Sequence, residues 1–257
     1  MKDKLSKRLE SEAEFQNQRT INAAEGKTEL RSHFYYLADR AMEHYRALTL
    51  KLCVGKRVVV TGCSEGGVTP LAKVGAEAVY GIDIADEPID ILNAAIEREG
   101  LTDVASAFVG NAENIDLPEK SIDLVCCSGV LHHLDIPNAI TSWKSILKDD
   151  GKVVMLEPMA LNPLIFLFRL FTPSMRTSDE HPLVPGDIAF LRKHFKTVKV
   201  KGYVLTSLFS LVFIFHPGFM RRVCRILEKV DDALLRVFPF LVYITWTSTI
   251  ELSDPIR

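Results

Sequence analysis

Five short apolar runs, most of them bounded by glycine and separated by stretches with helical spacing, decide most of what this chain can become. The runs are Arg57–Thr61, Ala78–Asp83, Ala105–Val109, Ile122–Ser128 and Lys152–Glu157. Between them lie Thr69–Val74, Pro88–Glu99 and Pro137–Leu147, whose apolar residues recur at helical intervals, and Gly55, Gly100, Gly110 and Gly151 punctuate the order. Strands that are apolar nearly throughout are covered on both faces, and their alternation with helices calls for βαβ units around a parallel sheet. The predicted fold class is α/β, doubly wound, with a mostly parallel sheet.

The flanks depart from this rhythm. Residues 1–28 read as a polar, partly frayed lead-in, and Leu30–Leu52 as an amphipathic helix carrying Phe34, Leu37, Ala41, Tyr45, Leu48 and Leu52 on one face. Beyond Glu157 a helix is expected over Asp187–Phe195, a strand over Thr197–Leu205, and a final strand from about Leu241 to Leu252. Two apolar insertions, Pro158–Pro185 and Ser207–Pro239, are long for plain connections and are read as helical elements packed over one end of the sheet. The first leaves the carboxyl end of a strand, where open α/β sheets bind ligands, so a lid is expected there. Three regions result: a helical lead-in and cap at 1–52, a ligand-binding core at 53–157, and the rest of the sheet with its lid insertions at 158–257.

Charge narrows the partners. With 31 Lys+Arg against 33 Asp+Glu, a formal net charge of −2 lacks the basic excess that holds a phosphate backbone, so no nucleic-acid partner is expected. The five cysteines form no C-x-x-C pair, which excludes a disulfide framework and leaves no metal site in view. The charged start MKDKLSKRLESEAEFQNQR has no apolar stretch of the secretory type, so a cytoplasmic protein is expected. Gly202–Met220 carries no Asp, Glu, Lys or Arg, but Thr206, Ser207, Ser210, His216 and Pro217 interrupt it, and a transmembrane span is not expected. In residues 202–240, Arg221, Arg222, Arg225, Lys229 and Arg236 alternate with apolar residues. This segment reads either as a solvated helix face or as peripheral contact with a membrane.

The first strand, turn and helix carry the chemistry. Gly62 and Gly66 flank the turn, letting a ligand approach the main chain and the free N–H groups of the next helix. Asp83 ends the following strand, 21 residues after Gly62, where a carboxylate can accept both hydroxyls of a ribose. Together they point to a nucleoside-containing cofactor.

The stretches VVVTGCSEGG, AVYGIDIA, VGNAENIDLPEKSIDLVCCSGVLHHL and GKVVMLEP, in that order over about residues 55–160, resemble the Rossmann-like class I S-adenosylmethionine-dependent methyltransferases of the small-molecule type. The resemblance implies S-adenosylmethionine as cofactor. Gly62, Cys63 and Gly66 would line its methionine portion, Asp83 its ribose, Ile84 its adenine face, Asn111 and Ala112 the adenine edge, and Ser128 the sulfonium. Tyr35 and Tyr36 would close the pocket from the N-terminal helix. Val60 and Ser64 stand where the family commonly has an acidic residue and a middle glycine.

Methyl transfer asks for alignment, exclusion of water and a proton acceptor where the nucleophile carries a proton. His132 and His133, after the fourth strand, and His181, in the first insertion, are the base candidates, while Glu157 would meet a substrate hydroxyl or close a salt bridge. No Asn/Asp-Pro-Pro-aromatic motif follows the fourth strand, which favours oxygen or carbon acceptors over nitrogen. The predicted activity is methylation of a small acceptor that is lipophilic or sugar-linked. A rival reading takes Gly62-Cys63-Ser64-Glu65-Gly66 as the G-x-S-x-G elbow of a serine hydrolase, with Asp135 and His181 as partners, although the upstream strands that such an elbow needs are missing. A further alternative is a cofactor-binding or membrane-peripheral relative without catalysis.

Overall fold

The computed structural model describes residues 2–24, 36–63, 67–171 and 180–257. Its elements, in chain order, are α1 (Lys2–Ala24), a 3-10 turn (Tyr36–Ala38), α2 (Asp39–Leu52), β1 (Arg57–Thr61), α3 (Val68–Lys73), β2 (Ala78–Asp83), α4 (Asp86–Arg98), β3 (Ala105–Val109) and β4 (Ile122–Ser128). A 3-10 turn at Leu131–His133 then leads to α5 (Ile136–Ile146), β5 (Leu147–Pro158), α6 (Pro163–Phe171), α7 (Pro185–His194) and β6 (Phe195–Tyr203). The chain continues through a 3-10 helix (Ser207–Phe213), α8 (Pro217–Val237), another 3-10 helix (Pro239–Ile244) and β7 (Thr247–Pro255).

The strands form one sheet of order β3-β2-β1-β4-β5-β7-β6, parallel except for β7, which runs antiparallel between β5 and β6. Its interior strands bury both faces. Val58 and Val60 of β1, Leu124 and Cys126 of β4, and Val154 and Leu156 of β5 join one core with α2, α3 and α4. Val59, Val125, Cys127, Val153 and Met155 point the other way, into a second core with α5 and α7. This is the expected doubly wound α/β architecture, and its strand order reverses between β1 and β4, where such sheets bind ligands.

Two expectations need correction. Residues 2–24 are an α-helix, not a frayed lead-in; the segment holds neither glycine nor proline and is rich in Lys, Glu, Leu, Gln and Ala, all strong helix formers. The last strand begins at Thr247, because Pro239–Ile244 winds into a 3-10 helix that Thr245 closes by donating its hydroxyl to the Val242 carbonyl at 2.8 Å. That turn packs so tightly on Gly202 that a Cβ there would meet Thr245 Cγ2 at 2.7 Å. The described parts of the insertions contain the expected helices, Pro163–Phe171 in the first and Ser207–Phe213 and Pro217–Val237 in the second, and no helix among the described residues is long and apolar enough to cross a membrane.

Candidate functional site

The carboxyl ends of β2, β1 and β4 lie side by side and carry the candidate cofactor residues. Gly62, just past β1, has φ +65 and donates its N–H to the Ile82 carbonyl at 2.8 Å. A Cβ there would stand 2.0 Å from Val130 Cγ2, so only glycine lets the loop after β4 press onto this turn. Cys63 is buried, and burial, reinforced by the charge of Asp83, pushes its thiol up to about 12. Gly66 and Ser64 lie outside the described residues, as does Tyr35.

Asp83 ends β2 with 7% exposure, and its Oδ1 accepts from Ala85 N at 3.1 Å. Gly110 N donates to the Asp83 carbonyl at 2.8 Å, stitching the loop after β3 to the end of β2. In that loop Asn111 Oδ1 accepts from Glu113 N at 2.9 Å, an Asx turn that leaves one lone pair on the amide oxygen. Ala112 is buried, its carbonyl accepting from Trp143 Nε1 at 3.0 Å; Ile84 and Ser128 are half-buried. No helix spans β3 to β4, and an open cleft of about 450 Å³ runs beside Asn111 between Tyr80, Ile82 and Phe108. Tyr36 opens the 3-10 turn before α2, packs against the core on that side of the sheet, and has the Arg221 guanidinium 5.0 Å from its ring centre.

Glu157 is fully covered, and the chain itself uses both of its oxygens. Oε1 accepts from the N–H groups of Val130 (3.0 Å) and Leu131 (2.9 Å), and Oε2 lies 2.6 Å from His132 Nδ1. Of the two roles expected for Glu157, a substrate contact or a salt bridge, the geometry is that of the salt bridge: Glu157 closes an ion pair and shapes the loop after β4. His132 Nε2 meets Glu180 at 3.2 Å, so with both nitrogens on carboxylates the ring has no lone pair for a substrate proton. Burial alone would lower its pKa, but Glu157 and Glu180 override that and hold it at about 9. Glu180, which burial would raise, is held at about 2 by His132 and by Arg169, 3.0 Å away. His181 is exposed, and its ring turns to Asp187 at 3.3 Å while its N–H donates to the His132 carbonyl. His133 Nδ1 stands 3.3 Å from Glu12 without the alignment of a hydrogen bond.

Among the described residues, His132, His133 and Glu180 also bring metal-type ligand atoms within 4.8 Å of one another. Two of the three already bond to each other.

Helix α1 supplies what the sequence reading missed. Arg8 pairs with the buried carboxylate of Glu113, which also accepts from Asp135 N at 2.8 Å. Asn17 brackets the start of α4, donating to Asp86 at 2.7 Å and accepting from Glu87 N at 3.2 Å. Through Arg8, Glu12 and Asn17, α1 thus reaches the loops after β3, β4 and β2, the same edge that carries Asp83 and Asn111. These partners stand 69 or more residues apart in the chain, beyond any local pattern. Of the rival hydrolase triad, the two members among the described residues are engaged elsewhere: Asp135 caps α5 by accepting from Asn138 N at 3.0 Å, and His181 is turned to Asp187.

The family described as "Methyltransferase domain" matches residues 59–155. The ubiquinone biosynthesis O-methyltransferase of Actinobacillus pleuropneumoniae serotype 7 is 35% identical over 104 residues, 38% of this chain and 43% of that protein. Its namesake in Neisseria meningitidis serogroup A is 28% identical over 148 residues, 54% and 61% of the two chains. The chain spans about half the length of the curated relatives it matches. The magnesium protoporphyrin IX methyltransferase from Synechocystis PCC 6803, solved with bound S-adenosylhomocysteine, superposes with TM-score 0.61 at 13% identity over 94% of this chain and 97% of that one. The chain has the class I methyltransferase fold. The cyclase SpnF superposes equally well, with TM-score 0.61 at 15% identity over 95% and 96%, so the class I methyltransferase fold by itself does not fix the reaction.

Proposed function

We propose that the protein is an S-adenosylmethionine-dependent methyltransferase acting on oxygen or carbon of a small, lipophilic acceptor. The carrying observation is the pairing of the Gly62 turn with Asp83 at the strand-order switch. A tight turn of main chain and a nearly buried carboxylate lie on neighbouring strands, pinned together by the Gly62 to Ile82 hydrogen bond. That donor and acceptor set fits an adenosine: Asp83 accepts from ribose hydroxyls, Ile84 and Ala112 flank the base, Asn111 reads its edge, and the main chain of Gly62, Cys63 and Ser128 borders the sulfonium end. When bound, the cofactor supplies a methyl group on a positively charged sulfur.

The chain's own work is to orient and to exclude water. Glu157 and His132 fix the loop that carries Val130 and Leu131 against the turn; they are positioning residues. His133 is the ring left to take a proton from an acceptor hydroxyl, with Glu12 beside it. Helix α1, held by Arg8 and Asn17, shields the site from water. The names of several relatives, in ubiquinone biosynthesis and sterol methylation, support the lipophilic reading, and peripheral membrane contact through residues 202–240 is compatible with it.

Incubation of the purified protein with methyl-labelled S-adenosylmethionine and an extract of its own cells, followed by mass identification of the labelled product, tests activity and acceptor together. Labelled lipid-soluble product is expected; absence of any labelled small molecule overturns the reading.

A further inference from the structure

Helix α6 is apolar on the outside. Ile165 is its buried anchor, and its one charged residue, Arg169, folds back onto Glu180, while Leu164, Phe166, Leu167 and Leu170 stand exposed. A soluble helix does the reverse, turning its apolar stripe inward. Nearby, Val212 is 75%, Phe215 89% and Phe240 65% exposed. These residues share one corner of the molecule. Pro158 at the end of β5 and Tyr203 at the end of β6 both pair with Thr247 at the start of β7, so α6, the Ser207–Phe213 helix and the Pro239–Ile244 helix all attach at the same edge. Asn162 ties them by donating to the Ile244 carbonyl at 2.9 Å. This is also the carboxyl edge that carries the candidate site.

Helix α8 sorts its charges by sign. Asp231 is buried, accepting from the N–H groups of Leu205, Thr206 and Ser207; Asp232 is taken up by Arg40 at 2.6 Å; Glu228 is half-buried. Its exposed charges are Arg221, Arg222, Arg225, Lys229 and Arg236, all basic. Between them Ile226, Val230, Ala233 and Val237 form an exposed stripe at helical spacing. An apolar stripe flanked by cations is the pattern of a helix lying in the plane of an anionic membrane surface.

We propose that this corner docks on an anionic phospholipid bilayer, with α6 and the tips at Phe215 and Phe240 entering the headgroup and acyl boundary and α8 lying along the surface. At nine residues α6 is roughly 13 Å long, less than half the hydrocarbon thickness, so it enters one leaflet without spanning. A second copy is the weaker occupant, since two such faces would set cation against cation. The site then opens towards the phase in which a lipophilic acceptor dissolves; this last point rests on the function proposed above, while the docking itself does not.

Flotation of the full-length protein with vesicles tests it. The protein is expected to float with vesicles of phosphatidylcholine containing about one third phosphatidylglycerol, more weakly with phosphatidylcholine alone, and less in high salt. Phe166→Asp with Leu170→Asp, both at exposed positions, should cut binding by at least tenfold, since two apolar anchors are lost. Arg222→Glu with Lys229→Glu should remove the anionic preference, roughly fivefold or more per charge. Calorimetric binding of S-adenosylmethionine should be unchanged in both variants, so a failure of docking and a failure of the cofactor reading stay distinguishable. No flotation at low salt, or flotation that survives Phe166→Asp with Leu170→Asp, overturns the proposal. So does a dimer in sedimentation that these two substitutions dissolve while vesicles remain unbound, which would give the face to a second copy.

Discussion

His132 and Glu157, 25 residues apart in the chain, meet at 2.6 Å in a spot where Glu157 has no exposed surface at all. An ion pair so placed holds structure only while both partners stay charged. His132 is held at about 9 against an ordinary 6.5, so its contribution is complete below pH 6.5 and is lost as pH rises towards 9. Glu180 is held at about 2 against 4.5, so its contribution is complete above pH 4.5 and is lost as pH falls towards 2. Stability from this cluster is therefore greatest between those limits. Denaturant titrations at stepped pH should show a decline of at most about 3 kcal/mol from pH 6.5 to 9. His132→Gln combined with Glu157→Gln should flatten that limb, and a slope that persists in the double variant would remove the pair as its source. His132→Ala alone, leaving a buried carboxylate unpaired, should cost about 3–5 kcal/mol.

Asp83 faces the cofactor reading most directly. Asp83→Ala should weaken S-adenosylmethionine binding by about 2 kcal/mol, roughly thirtyfold, because ribose hydroxyls lose a charged acceptor. Calorimetry reads this without any acceptor. Equal affinity in variant and parent would take Asp83 out of the site.

Gly62 is constrained twice, by its positive φ and by Val130. Gly62→Ala should destabilise the fold by more than about 2 kcal/mol, the left-handed backbone and the 2.0 Å approach adding to each other. Adding Val130→Ala removes Cγ2 and should restore the steric part but not the backbone part. Thermal or chemical unfolding of the two variants measures the split; no recovery in the double variant would mean the clash is not the cause.

The Arg8–Glu113 pair links α1 to the loop after β3. Arg8→Ala, with Asn17→Ala to release the start of α4, should raise the dissociation rate of S-adenosylmethionine several-fold while leaving the melting temperature within a few degrees. Stopped-flow displacement is the measurement. An unchanged rate would mean that α1 does not cover the cofactor.

What was legible in the sequence follows physical lines. β1, β2, β3 and β4 occupy the residues read from the pattern, since a strand buried on both faces between glycines has little freedom to be anything else. Leu241–Ile244 is as apolar as a strand, yet it lies in a 3-10 helix that opens at Pro239, is closed by the Thr245 hydroxyl and packs on Gly202. Helix α1 has no apolar stripe to betray it; its place is set by Arg8, Glu12 and Asn17 finding partners far along the chain. Glu157 could be read as an ion-pair former, but not as one spent wholly on its own chain, because His132 and the N–H groups of Val130 and Leu131 reach it only after β4 and β5 lie side by side. Glu180 passed unnoticed beside His181, although it is the residue that takes up His132 Nε2.

Because β7 is threaded between β5 and β6, the order of synthesis and the order of assembly differ. β1 to β5 can close on one another as they leave the ribosome, yet β6 pairs with β7 alone and must wait for it. During that interval β6 has no neighbouring strand to hydrogen-bond, so its register is set only when the final strand has emerged.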